Sequence, residues 1–419
     1  AFDITENVFS VSGGQKRPAI MTDTELYELE DKVLHAIDYD SLGFVNSKPS
    51  FAAVTNNSFI LPYTSAPSLQ RAVKAAGAND GWLVNIEPAQ INEEVLLTKA
   101  MTWNAFPADS VRLGGIEMNA SGKVLTLTDD FVLTTSLNLS NVNGGYIDIG
   151  DNDLDILPTA SVTQGSSNSY VRTTGTGSFV HRTDDGTAKT FPIGTLDSYA
   201  PVEFDDANPT GDNIRVKVNP APTAADFTPA LPASIATFVK FQWTICEDVA
   251  GGSDAVLRFD WSDPLNVSGS GTINAITRFD GTNWSSKLAT IGPGLVANGF
   301  NFNAFCSPFA VVADPNLTVI TTGNIIKIGS GVNGRFCPGD SVKIPFTVVG
   351  DGIVPGNNFN AFLSNPDGTF PVTGGVLMGS LQGNTSDTLK GIIPLSTVAG
   401  INYHVRIVSD NVQIIGSSN

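Results

Sequence analysis

Residues 111–164 read VRLGGIEMNASGKVLTLTDDFVLTTSLNLSNVNGGYIDIGDNDLDILPTASVTQ, and this stretch decides the fold. It consists of short segments in which apolar and polar residues alternate, separated by turns of Gly, Asn and Asp. A period of two places every second side chain on the same face of a strand. Pairs of aliphatic residues at this spacing are expected to form inward ladders: Leu125 and Leu127, Leu137 and Leu139, Ile147 and Ile149, and Leu154 and Ile156. The stretch therefore predicts a mainly β structure built from short, repeated strands.

The preceding segment, residues 62–106, reads PYTSAPSLQRAVKAAGANDGWLVNIEPAQINEEVLLTKAMTWNAF and resembles the opening of a right-handed parallel β-helix. In such an opening, a short amphipathic helix covers the open strand edges and the apolar core of the first coil. We expect this helix to run from Ser68 to Ala76. The residues expected to face the first coil are Leu69, Ala72, Val73 and Ala76. With coils of roughly 20 to 25 residues, residues 61–185 are predicted to form a short parallel β-helix of about four or five coils.

The composition favours an extracellular protein. Charged residues are 15% of the 419 residues, below the roughly 25% of an ordinary soluble domain. The net charge of −18, with only 23 Lys and Arg, argues against nucleic acid as a partner, because phosphate contacts require clustered basic residues. It also argues against an anionic membrane surface. The sequence lacks a run of 18 apolar residues, so no membrane insertion is expected.

The C-terminal region carries three motifs: CPGDSVKIPFTV at 337–348, FNAFLSNPDGTF at 359–370 and YHVRIVSDN at 403–411. They resemble the immunoglobulin-like module that is repeated in secreted cell-surface and adhesin-like proteins of Bacteroidota. The resemblance implies a β-sandwich at 327–419 and export through the type IX secretion system. It implies an extracellular or cell-surface location and a role in display or adhesion.

Residues 186–326 contain TAKTFPIGTLDSYAPVEF at 187–204, WTICEDVAGGSDAVLRFDWSDP at 243–264, ITRFDGTNWSSK at 276–287 and NAFCSPFAVV at 303–312. This order of motifs is similar to a domain that follows the solenoid in the same Bacteroidota proteins. The expected architecture is therefore a short parallel β-helix followed by two β-sandwich modules, with a small helical N-terminal segment at 1–60.

Three cysteines, Cys246, Cys306 and Cys337, allow three single-bridge pairings, and the alternative is that all are buried thiols. Cys246 and Cys306 both stand at strand positions where the resembled domain more often has another residue. Because paired departures are easier to explain together, the resemblance favours a disulfide between these two.

The N-terminal residues 1–60 predict one strand-like segment and one helix. AFDITENVFSVSGG places Phe2 and Ile4 on one side and Phe9 and Val11 on the other, with no adjacent strand to form a hairpin. The segment is expected to fold back onto its own solenoid or to add to the next subunit of a filament. The helix is expected from Thr22 to Tyr39. Asp23 or Thr24 would cap it, and His35 would lie at its solvent edge.

The turn DIGDNDLD contains four carboxylates, Asp148, Asp151, Asp153 and Asp155, within eight residues. Oxygen-rich turns of this kind bind Ca²⁺ when several ligands converge. The spacing departs from a helix-loop-helix calcium site, because Ile156 occupies the position where that site needs glycine. The alternative is a solvated turn in an acidic protein. Calcium is the one cofactor that the sequence suggests.

No enzymatic activity is expected. A polysaccharide hydrolase needs two carboxylates across a cleft, and a lyase needs a basic residue beside a carboxylate. Residues 124–171 contain no Lys, Arg or His. The sequence therefore predicts a non-enzymatic structural or adhesive surface protein, and a self-assembling filament is one form of it. The alternatives are a carbohydrate-binding surface protein, marked by exposed Trp or Tyr on a flat face, and, with less support, a β-helix enzyme. The partner is itself, as a homopolymer, or an extracellular glycan or protein.

Overall fold

The structure is a computed structural model. It describes residues 2–33, 35–38, 42–55, 68–76, 79–88, 90–107, 110–163, 165–183, 186–206, 211–249, 255–261, 263–292, 294–300, 302, 306–328, 335–349, 353, 355–371, 375–411 and 414–419. Strands include 48% and helices 7% of the residues, so the expected mainly β class is confirmed. Two compact units are present. The first contains residues 1–232, 236–285 and 289–312, and the second contains 233–235, 286–288 and 313–419.

The first unit begins with short elements: β1 (Phe2–Asp3), β2 (Phe9–Val11), β3 (Gly14–Lys16), a 3-10 turn (Pro18–Ile20), α1 (Asp23–Glu30) and β4 (Val45–Asn46). The next elements are β5 (Phe51–Val54), α2 (Leu69–Ala75), β6 (Trp82–Ile86), β7 (Gln90–Leu97), β8 (Met101–Ala105), β9 (Val111–Met118), β10 (Val124–Leu127), β11 (Phe131–Asn138), β12 (Gly145–Asp148), β13 (Leu154–Ile156), β14 (Ser161–Val162), β15 (Ser169–Arg172), β16 (Phe179–Arg182), β17 (Lys189–Phe191) and β18 (Ile193–Gly194).

These strands form a β-solenoid of about five turns, which confirms the predicted β-helix and its number of coils. The first sheet has the order β18-β15-β12-β10-β8-β6-β5, and every pairing in it is parallel. The second sheet contains β16-β13-β11-β9-β7, also parallel, and β14 pairs with β11. The solenoid starts earlier than the predicted residue 61, because β5 already belongs to the first sheet.

The core lies between the two sheets and is built by alternation along each strand. One ladder crosses six strands of the first sheet with each residue opposite the next: Trp82, Met101, Leu125, Ile147, Val171 and Ile193. All six are buried. All eight aliphatic residues predicted to face inward are also buried. The corners need glycine in places. Gly144 has a φ of +62°, and a Cβ there would lie 2.5 Å from the Asn168 carbonyl oxygen of the next coil.

Helix α2 closes the second sheet at β7, as predicted. Its residues Leu69, Ala72, Val73 and Ala76 are buried in the solenoid core. The amide group of the Gln70 side chain forms with β7 the hydrogen bonds that the backbone of a neighbouring strand would form. Its Oε1 accepts from the Leu96 backbone N–H at 2.6 Å, and its Nε2 donates to the Leu96 carbonyl at 3.4 Å. The exposed edge of the sheet is therefore satisfied by a side chain.

Helix α1 is shorter than the sequence predicted and has a different cap. The Thr22 hydroxyl accepts from the Glu25 backbone N–H at 3.3 Å, and the Glu25 carboxylate accepts from the Thr22 N–H at 2.8 Å, which is a capping box. The helix ends at Glu30, so the predicted end at Tyr39 was wrong. The Asp38 carboxylate accepts the His35 N–H at 3.0 Å and so stabilises a turn in place of further helix. Leu34 and Tyr39 lie outside the described residues.

The N-terminal segment is paired within its own chain, which corrects the prediction of an unpartnered strand. β1 pairs in parallel with β4, and β2 forms a hairpin with β3. The pairing of β2 with β3 was not predicted, because β3 contains no apolar residue. Ile4 and Val11 are buried, whereas Phe2 is 68% exposed. The segment folds back onto the solenoid, since Ile4 and Val11 share an apolar cluster with Phe51 of β5.

The chain continues with β19 (Val202–Asp206), β20 (Asn213–Pro220), a 3-10 turn (Ala224–Asp226), β21 (Thr237–Val239), β22 (Phe241–Glu247), β23 (Ala255–Phe259), a 3-10 turn (Pro264–Asn266), β24 (Val267–Ser268), β25 (Ala275–Phe279), β26 (Trp284–Leu288), β27 (Thr290–Gly292), β28 (Gly294–Phe300) and β29 (Ser307–Ala313). These elements belong to the first unit except for the last three residues of β26 and the last residue of β29. β20 pairs antiparallel with β16, so the second sheet continues through β22 and β29. A separate sheet has the order β17-β19-β23-β28-β27. One apolar cluster extends from Ile37 to Val311. The expected boundary at 185/186 is therefore not a boundary between compact units.

The second unit contains β30 (Val319–Thr322), β31 (Ile326–Lys327), β32 (Ser341–Val349), β33 (Asn358–Leu363), β34 (Val376–Gln382), β35 (Asp387–Ile392), β36 (Val405–Ser409) and β37 (Ile415–Ser418). The strand order is β31-β32-β30-β37-β36-β33-β34, with β35 paired to β32. The unit starts at residue 313 and not at 327, because β30 pairs with β32. The pairing shows a mainly antiparallel module. Its immunoglobulin-like sandwich, and that of 186–326, stay predictions.

Candidate functional site on the outward face of the solenoid

The four carboxylates of the predicted calcium turn do not converge on one point. Three of them bind the next coil. Asp148 Oδ1 accepts from the Thr174 hydroxyl at 2.6 Å, Asp151 Oδ1 accepts from the Thr176 N–H at 2.8 Å, and Asp153 Oδ1 accepts from the Ser178 N–H at 2.8 Å. Asp130 serves Asp153 in the same way at 2.8 Å. These aspartates close the corners of successive coils.

Within the described ranges, no group of three or more His, Cys, Asp or Glu side chains is placed to hold a metal ion. The calcium prediction for Asp148, Asp151, Asp153 and Asp155 is therefore not supported by the geometry. The physical reason is that N–H or hydroxyl donors of the neighbouring coil occupy an oxygen of Asp148, Asp151 and Asp153. Eight adjacent residues in the sequence do not reveal this, because the partners lie about one coil away.

Asp155 differs from the other three because it lies in a row on the outward face of the second sheet. Its neighbours across the strands are Val132 and Val180, both buried, and Val180 is opposite Arg215. Burial, with a further contribution from the charge of Asp153, raises the pKa of Asp155 to about 6, and Arg215 opposes this shift. The Oδ1 atom is buried without a hydrogen-bond partner.

Arg215 bridges the solenoid and the strands that follow it. Its guanidinium forms ion pairs with Asp153 and with Asp248, the latter at 2.8 Å. The hydrogen bond from Arg215 lowers the pKa of Asp248. The cluster of Asp153, Asp155, Arg215 and Asp248 thus combines one neutralised cation with a surplus of carboxylates. These ion pairs join Arg215 of β20 to the turn before β13 and to the residue that follows β22.

Cys246 lies opposite Arg215 on β22 and is joined to Cys306 by a disulfide. This is the pairing that the resemblance favoured. The third cysteine, Cys337, is free and exposed in the second unit.

Each of the three histidines has its own structural surroundings. His35 is buried, which corrects its expected place at a solvent edge. Its Nδ1 accepts from the Val45 N–H at 3.1 Å, and its Nε2 contacts the Glu30 carboxylate. Burial opposes the charged form of His35, but the hydrogen bond and the charge of Glu30 raise its pKa overall. His181 is buried against Phe191, and His404 contacts the Asn419 carbonyl.

The outward face of the first sheet divides into two stretches. The covered stretch consists of Phe51, Ala53, Leu83 and Phe106, which contact the apolar cluster of the N-terminal segment. Tyr27 of α1 lies on it, with its ring centroid 5.7 Å from that of Phe106. An apolar outward face on a solenoid is thus buried by the chain that precedes it.

The open stretch begins directly beside the covered one. Leu83 is opposite Thr102, and from there a row of polar side chains crosses four strands. We call this set the polar row: Thr102, Thr126, Asp148 and Arg172. Each of the four is partly exposed. Tyr146, opposite Tyr170 and partly exposed, lies alongside this row.

An aromatic stack positions Arg172. Its guanidinium carbon lies 3.8 Å from the ring centroid of Tyr146 and 5.9 Å from that of Tyr170. The two tyrosine rings meet edge to face at 5.0 Å. Tyr170 is buried and donates to the Leu196 carbonyl at 3.3 Å. Burial raises the pKa of Tyr170, while a hydrogen bond with Arg172 opposes the shift.

Arg172 has no carboxylate partner among the residues that the structure describes, although the protein carries a net charge of −18. Its Nε atom is buried and lacks an acceptor. Asp148 is opposite Arg172 on β12, and its Oδ1 already accepts two hydrogen bonds. A guanidinium held by aromatic rings and left with unused donors is able to bind an outside acceptor.

The sequence prediction named exposed Trp or Tyr on a flat face as the mark of a glycan site, but it then weighed only the tryptophans and so missed Tyr146. Trp82, Trp103 and Trp243 are buried in the core, so they offer no flat platform. The available signal was the phase of the repeat: Tyr146 and Tyr170 directly precede the core residues Ile147 and Val171, which places both tyrosines on the outward face.

Comparison with protein-family models, with curated proteins and with solved structures finds no match to this chain. The resemblance to Bacteroidota surface proteins therefore stays a prediction. Among the described residues, no helix is long and apolar enough to span a membrane.

Proposed function

We propose that the protein is an extracellular, non-enzymatic surface protein that acts in adhesion. The observation that carries the extracellular location in this proposal is the disulfide between Cys246 and Cys306. Disulfides form and persist in oxidising compartments, so the bond supports export. A charged fraction of only 15% agrees with an exterior exposed to the medium.

The use of the carboxylates supports a non-enzymatic role. Asp148, Asp151 and Asp153 serve coil-to-coil hydrogen bonds, and Asp153 is also paired with Arg215. Groups engaged in closing coils are not free to transfer protons to a substrate. The rigid solenoid then serves to hold a binding surface away from the cell.

Polymerisation through the N-terminal strand has less support than adhesion by single subunits. Ile4 and Val11 are buried against the same chain, and β1 and β2 already have partner strands. A filament would have to use another surface.

The proposal is tested in the organism that makes the protein. Antibodies against the second unit are expected to label intact cells, and a strain lacking the gene is expected to lose attachment to surfaces. Peptide mapping without reduction of protein taken from these cells should recover Cys246 joined to Cys306. Labelling only after cell lysis, or release of reducing or unsaturated sugar ends from polysaccharides by the pure protein, would contradict the proposal.

A further inference from the structure

The open stretch of the first sheet has the chemistry of a binding site for hydroxyl groups. The polar row offers both donors and acceptors: hydroxyls at Thr102 and Thr126, a carboxylate at Asp148 and a guanidinium at Arg172. Hydroxyl-rich ligands need both roles, because each hydroxyl donates one hydrogen bond and accepts others.

The arrangement of the row is regular. The four residues lie opposite one another on β8, β10, β12 and β15. Neighbouring strands in a sheet are about 4.8 Å apart, a distance comparable with the length of one pyranose ring. A chain of pyranose units lying across the strands would therefore meet one side chain of the row with each unit.

Arg172 is prepared for such a contact before any ligand arrives. Its stacking on Tyr146 fixes the guanidinium and reduces the entropy lost on binding. Its buried Nε lacks an acceptor, and the described part of the chain offers no carboxylate within ion-pair distance. Because Nε is buried, a ligand on this face would use the remaining guanidinium N–H groups, which donate in a fixed planar arrangement.

The local charges select against an acidic ligand. Asp148 is directly opposite Arg172, and Asp197 lies close enough to Tyr170 to influence its ionisation. With a net charge of −18, the protein also repels polyanions over a longer range. A neutral ligand avoids these repulsions and uses Asp148 as an acceptor.

We infer that the polar row, together with Tyr146, binds a neutral glycan of several pyranose units that lies across the strands of the first sheet. This inference rests on the proposed function, for which it names the ligand class.

The experiment begins with a printed array of neutral and acidic glycans, followed by calorimetric titration of a neutral oligosaccharide that binds. Arg172→Ala and Tyr146→Ala are each expected to weaken binding by about tenfold or more, a change that corresponds to one lost contact of about 1.4 kcal/mol. Arg172→Lys is expected to recover little, because the planar stacking is lost.

Arg112→Ala is the matched control, since Arg112 is an exposed arginine on the outward face of the second sheet. It should leave the affinity unchanged. Circular dichroism of each variant checks that the fold is retained.

Asp148→Asn distinguishes a neutral from an acidic ligand. The amide keeps the Oδ1 acceptor that Thr174 and Gly150 use, but it removes the charge. Weaker binding of a neutral glycan is expected, because a charged acceptor becomes a neutral one. The parent protein would overturn the inference if it bound acidic glycans more tightly than neutral ones, or bound acidic glycans alone.

Absence of any bound neutral glycan, or affinities that neither Arg172→Ala nor Tyr146→Ala changes, would also overturn it. These failures are separable from failure of the proposed function. If cells still display the protein and still attach through it, adhesion stands and only the ligand class is wrong.

Discussion

The covered and the open stretch of the first sheet share one backbone register, but the first is buried under the N-terminal segment and the second is partly exposed. Phe51 and Leu83 pack against the N-terminal segment, whereas Thr126, Asp148 and Arg172 remain partly exposed. The inward side of the sheet is the same in both stretches, since the ladder of core residues from Trp82 to Ile193 is continuous. The difference lies only in the outward side chains. Apolar outward residues require a cover, and polar outward residues leave a surface available for a ligand.

The strongest test removes the cover. Deletion of residues 1–14 takes away Ile4 and Val11, which are buried with Leu26 and Phe51. Burial of one aliphatic side chain is worth roughly 1.5–3 kcal/mol, so we expect a loss of about 4 kcal/mol in the free energy of unfolding. Urea unfolding measures it, and a dye that binds apolar surface should bind more strongly.

Phe2→Ser is the control for this deletion, because Phe2 is largely exposed on the same segment. It is expected to change stability by about 0.5 kcal/mol or less. A truncated protein that keeps full stability but changes from polymer to monomer would show that the segment serves another subunit and not its own solenoid.

The second test compares one aromatic residue from each stretch. Phe51→Ala is expected to cost about 3 kcal/mol, because it leaves a cavity under the N-terminal layer. Tyr146→Ala is expected to cost about 1 kcal/mol, since this ring is partly exposed and loses mainly its contacts with Arg172 and Tyr170. Urea unfolding of both variants under the same conditions provides the comparison. Equal losses would remove the distinction between a structural and a ligand-binding stretch.

The sequence predicted the part of this fold that depends on local periodicity. The inward residues from Leu125 to Ile156 follow from alternation over a few residues. The capping role of Leu69 and Val73 came from the resemblance to a β-helix opening, and the number of coils came from the usual coil length. The N-terminal layer did not follow, because β1 finds its partner β4 more than 40 residues later and β3 has no apolar residue. Residues on both sides of the predicted boundary at 185/186 lie in one compact unit, which local pattern also does not reveal. The pairing of β16 with β20 depends on contacts that local pattern does not encode.

The candidate site was predictable only in part. The acidic turn was correctly noticed as unusual, but its hydrogen-bond partners Thr174, Thr176 and Ser178 lie in the following coil. Because the sequence pattern covers only neighbouring residues, it predicted that these carboxylates bind Ca²⁺. The stack of Tyr146, Tyr170 and Arg172 requires the register between β12 and β15, which is known only once the coil length is fixed.

A third, smaller test concerns the edge of the second sheet, where a side chain provides the cover. Gln70→Ala removes both hydrogen bonds to Leu96, one at 2.6 Å and one at 3.4 Å. Because these bonds are exposed, we expect a loss of about 1 kcal/mol. Gln90→Ala is the matched control, since the Gln90 amide donates to the Asn92 side chain on the same strand. Thermal unfolding should separate the two variants, and equal melting temperatures would argue that α2 covers β7 through apolar contacts alone.

The outward face of the second sheet offers the reverse case, a carboxyl group on a covered stretch. Asp155 lies between the buried Val132 and Val180, and burial raises its pKa from 3.8 to about 6. The folded protein therefore holds this proton more tightly than the unfolded chain does. The resulting contribution to stability is full below about pH 3.8 and is lost as the pH rises through about 6.

The smallest expected effect follows from replacing this carboxyl group. Asp155→Asn cannot ionise, so it should be more stable than the parent protein at pH 7.5 by about 1 kcal/mol, after allowance for partial exposure. The advantage should vanish near pH 4, where Asp155 is protonated. Asp151→Asn is the control with the opposite sign. Hydrogen bonds from Thr176 lower the pKa of Asp151, so its charged form favours folding, and the substitution should destabilise the protein at neutral pH and less so in acid. Urea unfolding across this pH range measures both variants. If Asp155→Asn destabilised the protein at neutral pH, the charge of Arg215 would stabilise the Asp155 charge by more than burial destabilises it. A charged residue on a covered stretch would then not reduce the free energy of unfolding.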